Sequence, residues 1–459
     1  MSGKSTGAMQ QFPSSGFNPT DHGSPGLVLL YAENYASLPA AWTLAPGRNV
    51  IGREAPADVV VPVNAVSRVH AELLVERSGV TVRDLNSTNG TLVDGRLIKE
   101  ARLEAGQELR FGDAILKFVD NGAESYAAYR IDGSVVPGAN RLCPALPALV
   151  GGYHVDRLAA ELLRIARSEL SVMLLGESGT GKEVIARQLH EHSGRPGPFQ
   201  AINCAAIPAN LLESELFGYK KGAFSGADRD KPGLIRTAHR GTLLLDEIGD
   251  MPLTAQAKLL RVLQAKEVFP VGATQAESVD VRVVCATHRD LRRMQVENHF
   301  RPDLFARLNE YQLRLPPLRD RKEDVFLLFN AFLKRHGNVS PNPSFRFMTA
   351  LLHYDWPYNV RELEACAKRC LALAQGPVVD VDHLPEPVRD EMADYGTPIW
   401  NPNSDDNDRL APSEVQLRAL LQQHRGNIAA VGRDLGKARM QVHRWLKKYD
   451  ISLDDYRDS

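Results

Sequence analysis

Eight consecutive residues, Gly176, Glu177, Ser178, Gly179, Thr180, Gly181, Lys182 and Glu183, have the types and order needed to hold a polyphosphate. The glycines let backbone N–H groups face an anion, a helix start adds positive potential, and the lysine neutralises the terminal phosphates. The run follows the apolar segment SVMLL and precedes a helical pattern, so strand, loop and helix come in the order of a Walker A loop. Glu183 stands where a Ser or Thr metal ligand is usual. Further along, GTLLL ends in Asp246 and Glu247, as a Walker B strand does. Asp246 is placed to hold Mg²⁺ as its metal ligand, and Glu247 to polarise an attacking water. A glycine-rich turn alone, or two acids at a strand tip alone, is often only structural. Together, at this spacing, they read as one site for ATP with Mg²⁺.

The elements that must position these residues form a multidomain chain. At 459 residues the chain exceeds what one hydrophobic core usually serves. Residues 1–26 are rich in Gly, Ser and Pro and read as a disordered tail. Residues 27–121 alternate short β-branched runs with Gly, Asn and Asp, an all-β sandwich. A linker is expected at 122–148. Over 149–316, helical patterns alternate with buried-strand runs, the signature of a parallel α/β sheet with crossover helices. Helices alone follow at 317–390 as a lid, then a second linker at 391–410 and an all-α segment at 411–459.

The composition, 43% hydrophobic and 24% charged with a net charge of -1, gives no chain-wide attraction to nucleic acid or membrane. No apolar run spans a bilayer and no secretory signal is evident, so a cytoplasmic protein is expected. The five cysteines are too few and scattered for a disulfide framework. Cys366 and Cys370 lack a second ligand pair for a metal.

Residues of about 149 to 388 resemble the AAA+ domain of sigma-54-dependent activators, the NtrC class of bacterial enhancer-binding proteins. The resemblance rests on GESGTGKE, ELFGYKKGAFSGA, LLLDEIGDMP, VRVVCATHRDL, FRPDLFARLN and WPYNVREL. Glutamate at position 183 is itself typical of that class. The resemblance implies a P-loop ATPase working as a homo-oligomeric, hexameric ring. Asn203 would restrain Glu247 in a nucleotide-dependent switch, Arg301 and Arg307 would reach the γ-phosphate of a neighbouring subunit, and Arg361 would act as a second sensor. The chain departs from the class at His288, which stands for the first-sensor asparagine but can still contact nucleotide, and at Tyr358 and Arg240, which stand for glycines. The loop Gly222, Ala223, Phe224, Ser225, Gly226 and Ala227 corresponds to the class's GAFTGA, its contact with sigma-54. An apolar Phe224 between glycines itself argues for a partner.

Ahead of this domain, Gly52-Arg53, Ser67-Arg68-Val69-His70 and Asn86-Ser-Thr88-Asn89-Gly90-Thr91 resemble the forkhead-associated (FHA) domain over about 27 to 119. Arginine suits a phosphate dianion and a serine hydroxyl can donate to it. The resemblance implies a phosphothreonine site of Arg53, Ser67, Thr88 and Asn89, with Arg68 as a second cation and His70 as a brace. Its partner would be a threonine-phosphorylated protein or segment.

The C-terminal segment reads as three helices with a local basic cluster, the footprint of polyanion binding. It resembles the Fis-type helix-turn-helix, with Arg439, Gln441, His443 and Arg444 as DNA-contacting candidates and Val442, Trp445 and Leu446 as core. The combined expectation is an activator that binds promoter-upstream DNA, reads phosphothreonine, and uses ATP to remodel RNA polymerase holoenzyme carrying sigma-54. No segment reads as a receiver domain, so aspartate phosphorylation is not the expected input. An AAA+ remodeller of another target and a non-catalytic phosphopeptide adaptor on DNA remain alternatives.

Overall fold

The computed structural model describes residues 23–224, 227–337, 342–374, 376, 378–398, 412–435 and 439–456. It divides into two compact units. One holds 137–328 and 356–365, the other 23–136, 329–355 and the residues from 366 onward.

The first unit is built on a five-stranded parallel sheet. Its strands are β1 (Val172–Leu175), β2 (Phe199–Asn203), β3 (Thr242–Asp246), β4 (Arg282–Thr287) and β5 (Tyr311–Arg314), in the spatial order β2-β3-β4-β1-β5. β3 and β4 are apolar throughout their centres because crossover helices cover both faces, so Leu243, Leu245, Val284 and Cys285 are essentially inaccessible. Arg282 opens β4 with only 2% of its surface exposed. Its guanidinium donates to the carbonyls of Ile165 and Ala166, which end the helix Tyr153–Ala166 and so find no N–H donor within it. Lys182, Asn203, Asp246 and Glu247 emerge at the carboxyl ends of β1 to β3, where open α/β sheets place their ligands.

Arg240, just before β3, has φ of +59°. That left-handed backbone explains why a glycine is usual there, and the arginine accepts it at a cost of about 1 kcal/mol.

In the second unit, a six-stranded and a five-stranded sheet form the sandwich, with Ile51, Leu73, Val82, Leu109 and Leu116 between them. Asp94 and Gly95, both with positive φ, make the tight hairpin between Thr91–Val93 and Arg96–Ile98. The helices Glu414–Gln423, Ile428–Leu435 and Arg439–Lys448 close their own small core on Leu417, Leu421, Val431, Val442, Trp445 and Leu446.

Both expected linkers carry structure. In the first, Ala123 and Tyr126 of a short helix are buried, and the ring of Tyr126 lies under the Lys117 ammonium at 5.1 Å. Leu146, beyond the unit boundary, joins the core beside β1. In the second, residues 394–398 lie on the edge of the six-stranded sheet. The Leu97 N–H donates to the Thr397 carbonyl at 3.0 Å and the Gly396 N–H to the Gly95 carbonyl at 2.7 Å. An exposed strand edge offers unpaired backbone groups, and this polar segment supplies their partners. Residues 1–22 and 399–411 lie outside the described residues. No described helix is long and apolar enough to cross a membrane.

Candidate functional site

The Walker A loop joins β1 to the helix Lys182–Glu191. Gly179 and Gly181 have φ of +78° and +102°. A side chain on Gly179 would begin 2.1 Å from the Tyr358 carbonyl oxygen, so close approach as well as backbone conformation demands glycine. Lys182 is 7% exposed and donates to the carbonyls of Gly176 at 2.8 Å and Glu177 at 3.2 Å, which aims its ammonium across the loop. Thr180 closes the turn by donating to the Glu177 carbonyl. Glu183 faces away and pairs with Arg187 at 3.2 Å.

Two further residues tie the loop down, and the motif alone did not reveal them. Arg319 grips the Glu177 carboxylate with both terminal nitrogens. Asn359, fully buried, donates to the same carboxylate at 3.2 Å and to the Ser178 carbonyl at 3.0 Å. Arg361 reaches Ser178 Oγ at 3.2 Å, beside the loop.

At the strand ends the acids separate in role. Asn203 and Asp246 are register partners on β2 and β3, and Asn203 Nδ2 donates to Asp246 Oδ2 at 3.3 Å. Burial and the neighbouring Glu247 charge push the Asp246 carboxyl above its usual range. Glu247 leaves the strand in left-handed conformation, φ +48° and ψ +51°. Its Oε2 lies 2.8 Å from His288 Nδ1 and its Oε1 3.8 Å from Lys182 Nζ. Burial raises the Glu247 pKa, but the His288 hydrogen bond and the Lys182 charge outweigh that and hold it below the ordinary value.

The expected nucleotide-dependent pairing of Asn203 with Glu247 is not the arrangement in this structure. Asn203 holds Asp246, because the two share a register position, and His288 holds Glu247. Arg301 pairs with Asp303 at the start of the exposed helix Pro302–Leu308, and Arg307 is exposed near its end. Arg301 caps this helix and Arg307 lies in its last turn, and no described contact joins either to the Walker loops.

The loop after Gly218–Tyr219 is closed at its base by backbone bonds. Gly222 N–H donates to the Ala227 carbonyl at 2.8 Å and Ala227 N–H to the Phe224 carbonyl at 3.0 Å. Gly222 has φ of +83°, and Ala223 donates back to the Lys220 carbonyl. Phe224 is 44% exposed, one ring edge leaning on Tyr219 at 4.9 Å, while Ala227 is buried. Ser225 and Gly226 lie outside the described residues.

In the sandwich, the phosphothreonine candidates gather on neighbouring loops. Ser67 Oγ accepts from the Thr88 N–H at 3.1 Å. Arg53 is half-buried next to this pair, its backbone N–H bonded to the Ser67 carbonyl. Asn89 donates to the Ala65 carbonyl at 2.7 Å, bracing one loop against the next. His70 is fully buried. The Ser67 N–H donates to its Nδ1 at 3.1 Å, so Nε2 carries the proton and donates to the Gly90 carbonyl at 3.2 Å. Burial lowers the His70 pKa, which keeps this neutral tautomer. Arg68 points outward to Glu54 at 3.0 Å. Beside Asn89 opens a cavity of about 470 Å³, walled also by Leu97, Arg110 and Gly396 of the edge segment.

Of the recognition-helix candidates, Arg439 and His443 are engaged in ion pairs. Arg439 Nε lies 3.0 Å from Asp355 and its Nη1 2.9 Å from Glu391, with the guanidinium over the Tyr354 ring at 5.3 Å. His443 Nε2 lies 2.5 Å from the same Asp355 oxygen. Asp355 is 3% exposed, and a buried carboxylate requires such cationic partners. Arg439 and His443, both named as DNA-contacting candidates, are thus engaged by carboxylates of this chain. The side chains of Gln441 and Arg444 lie outside the described residues.

This geometry defines a P-loop α/β domain with a two-acid strand end and, in the other unit, an FHA-type sandwich. Comparison with known proteins agrees: residues 152–314 match the sigma-54 interaction domain, 49–112 the FHA domain and 319–398 the AAA+ ATPase lid domain. The regulatory protein AtoC of Escherichia coli K12 is 42% identical over 306 residues, covering 65% of this chain and 66% of AtoC. The transcriptional regulatory protein GlrR of the same strain is 39% identical over 307 residues, 66% of this chain and 68% of GlrR. The crystal structure of NtrX from Brucella abortus in complex with ATP superposes with a TM-score of 0.50 at 32% identity, covering 66% of this chain and 69% of that one. The chain belongs to the family of sigma-54-dependent transcriptional regulators. It spans just under two thirds of AtoC's length.

Proposed function

We propose that this protein is an ATP-driven activator of sigma-54 RNA polymerase holoenzyme, regulated through phosphothreonine and directed to promoter-upstream DNA. One observation carries the reading: a single compact unit combines Lys182, Asp246 and Glu247 at its strand ends with a closed loop that leaves Phe224 nearly half exposed. The fit to ATP rests on the glycine conformations and the buried Lys182. Mg²⁺ suits Asp246, since a divalent cation favours the ionised form of a carboxyl that burial, and then the Glu247 charge, push upward. Bound Mg²⁺ would neutralise phosphate charge while Glu247 polarises water. Arg301 and Arg307, on an exposed helix, are available to an adjoining subunit in a ring. Chromatin immunoprecipitation in cells with and without sigma-54 tests the assignment, and occupied promoters whose transcription ignores sigma-54 would reject it.

For the sandwich, Arg53→Ala is expected to weaken binding of a degenerate phosphothreonine peptide library by about ten- to a hundred-fold while the domain stays folded, since one charge-assisted contact is removed from a loop. Calorimetric titration with phosphorylated and unphosphorylated libraries checks this. Equal affinity for the two in the wild type would reject the phosphopeptide reading.

For the C-terminal helices, DNA phosphates must displace Asp355 and Glu391 from Arg439 and His443. Glu391→Gln is expected to tighten binding to immunoprecipitated promoter DNA several-fold, because a competing anion is removed. Arg439→Ala is expected to weaken it. Anisotropy titrations unchanged by both substitutions would refute the recognition helix.

A further inference from the structure

We propose that His288 is the positioning residue that restrains Glu247 before hydrolysis, in the place expected of Asn203. The proposal rests on reading Glu247 as the water-polarising group. Three adjacent parallel strands set up the choice. Asn203 ends β2 directly opposite Asp246 on β3, and both ends of its amide are engaged there: Nδ2 donates to Asp246 while Oδ1 accepts from the Ala205 and Ala206 N–H groups at 2.9 and 3.2 Å. Glu247 is one residue past the end of β3, and its left-handed backbone swings the carboxylate toward the neighbouring strand. His288 is one residue past the end of β4, on that side, and meets it at 2.8 Å.

The two carboxylate oxygens thus have different nitrogens beside them, Lys182 Nζ at Oε1 and the imidazole at Oε2. A carboxylate engaged in this way is a poorer acceptor for a water proton. When phosphates draw the Lys182 ammonium away, the imidazole still holds Oε2. A histidine can do here what an asparagine amide would, donating one N–H to a carboxylate.

The test measures steady-state ATP turnover of the full chain without sigma-54. His288→Ala is expected to raise kcat by about five-fold, the effect of losing one restraining hydrogen bond, with KM within about two-fold of wild type. His288→Asn, which keeps an N–H donor, is expected to stay near wild type, whereas Asn203→Ala, which frees Asp246 and not Glu247, is not expected to raise kcat. A raised KM for His288→Ala would make the histidine a nucleotide contact instead. An unchanged or lower kcat, or a rise appearing in Asn203→Ala and not in His288→Ala, would equally overturn the proposal. The double substitution His288→Ala with Glu247→Gln separates this from the parent reading. Turnover persisting in it would remove Glu247 from the chemistry, whereas its loss leaves the role of His288 to be decided by the single variants.

Discussion

Glu247→Gln is expected to lower ATP turnover by about a hundred-fold or more while ATP affinity stays near that of the wild type. The substitution preserves volume and one acceptor oxygen but removes the carboxylate that takes up the water proton, a contribution of about a hundred- to ten-thousand-fold in general-base chemistry. Binding is preserved because the phosphates are held elsewhere, by Lys182 and the glycine loop, and because Arg319 and Asn359 fix that loop through Glu177 and Ser178. Asp246, which Asn203 orients, remains to hold a cation. Stopped-flow nucleotide binding beside a phosphate-release assay checks the two halves. Turnover close to wild type would show that Glu247 does not polarise the water.

Phe224→Ala is expected to separate hydrolysis from its output. ATP turnover and assembly should persist, since the ring touches Tyr219 at the loop and no strand-end residue. Capture of sigma-54 in the presence of an ATP transition-state analogue should fall by about thirty-fold, the scale of losing an aromatic anchor from an interface. The geometry explains why the ring is poised for this. Gly222 turns the chain, Ala227 is anchored in the core, and the backbone bonds between them hold Phe224 up at the surface. Ser225→Thr, restoring the methyl found in the related loops, should preserve or strengthen capture. Equal capture by the wild type and Phe224→Ala would mean that the loop is not the contact.

The parts of this molecule that were legible in the sequence are those whose chemistry needs contiguous residues. Gly179, Gly181 and Lys182 must be neighbours to cradle phosphates, and Asp246 must end an apolar strand, so motif and structure coincide. The sandwich strands were legible for a similar reason, since turns such as Asp94-Gly95 punctuate them. What stayed hidden depends on residues that only tertiary structure brings together. The pairing of Glu247 with His288 follows from strand order and from a left-handed φ at Glu247, neither of which is written locally. Arg439 and His443 read as a basic surface because their partners, the buried Asp355 and the half-buried Glu391, come from distant segments.

The stretch Asp394–Pro398 shows the opposite failure. Its Gly, Pro and acidic residues have linker composition, yet its backbone groups complete the edge at Gly95 and Leu97. Side chains secure it further: Arg96 donates to Thr397 Oγ1 at 2.5 Å and pairs with Asp394 at 3.2 Å, and Tyr395 donates to the buried Glu108 at 3.0 Å. Burial and the Glu108 charge drive the Tyr395 hydroxyl well above its usual pKa, so it stays a donor at neutral pH. Backbone satisfaction can order a polar segment that hydrophobic patterning passes over.

The central claim is that ATP hydrolysis by this chain opens promoters bound by sigma-54 holoenzyme. The most direct measurement is open-complex formation, followed by permanganate footprinting on a promoter occupied by the protein, with purified holoenzyme carrying either sigma-54 or a different sigma factor. The account predicts melted DNA only with sigma-54 and hydrolysable ATP, and none with a non-hydrolysable analogue or with the Glu247→Gln chain. Vigorous ATP hydrolysis with no melting under any of these conditions would contradict it, and would pass the lead to an AAA+ remodeller acting on another protein.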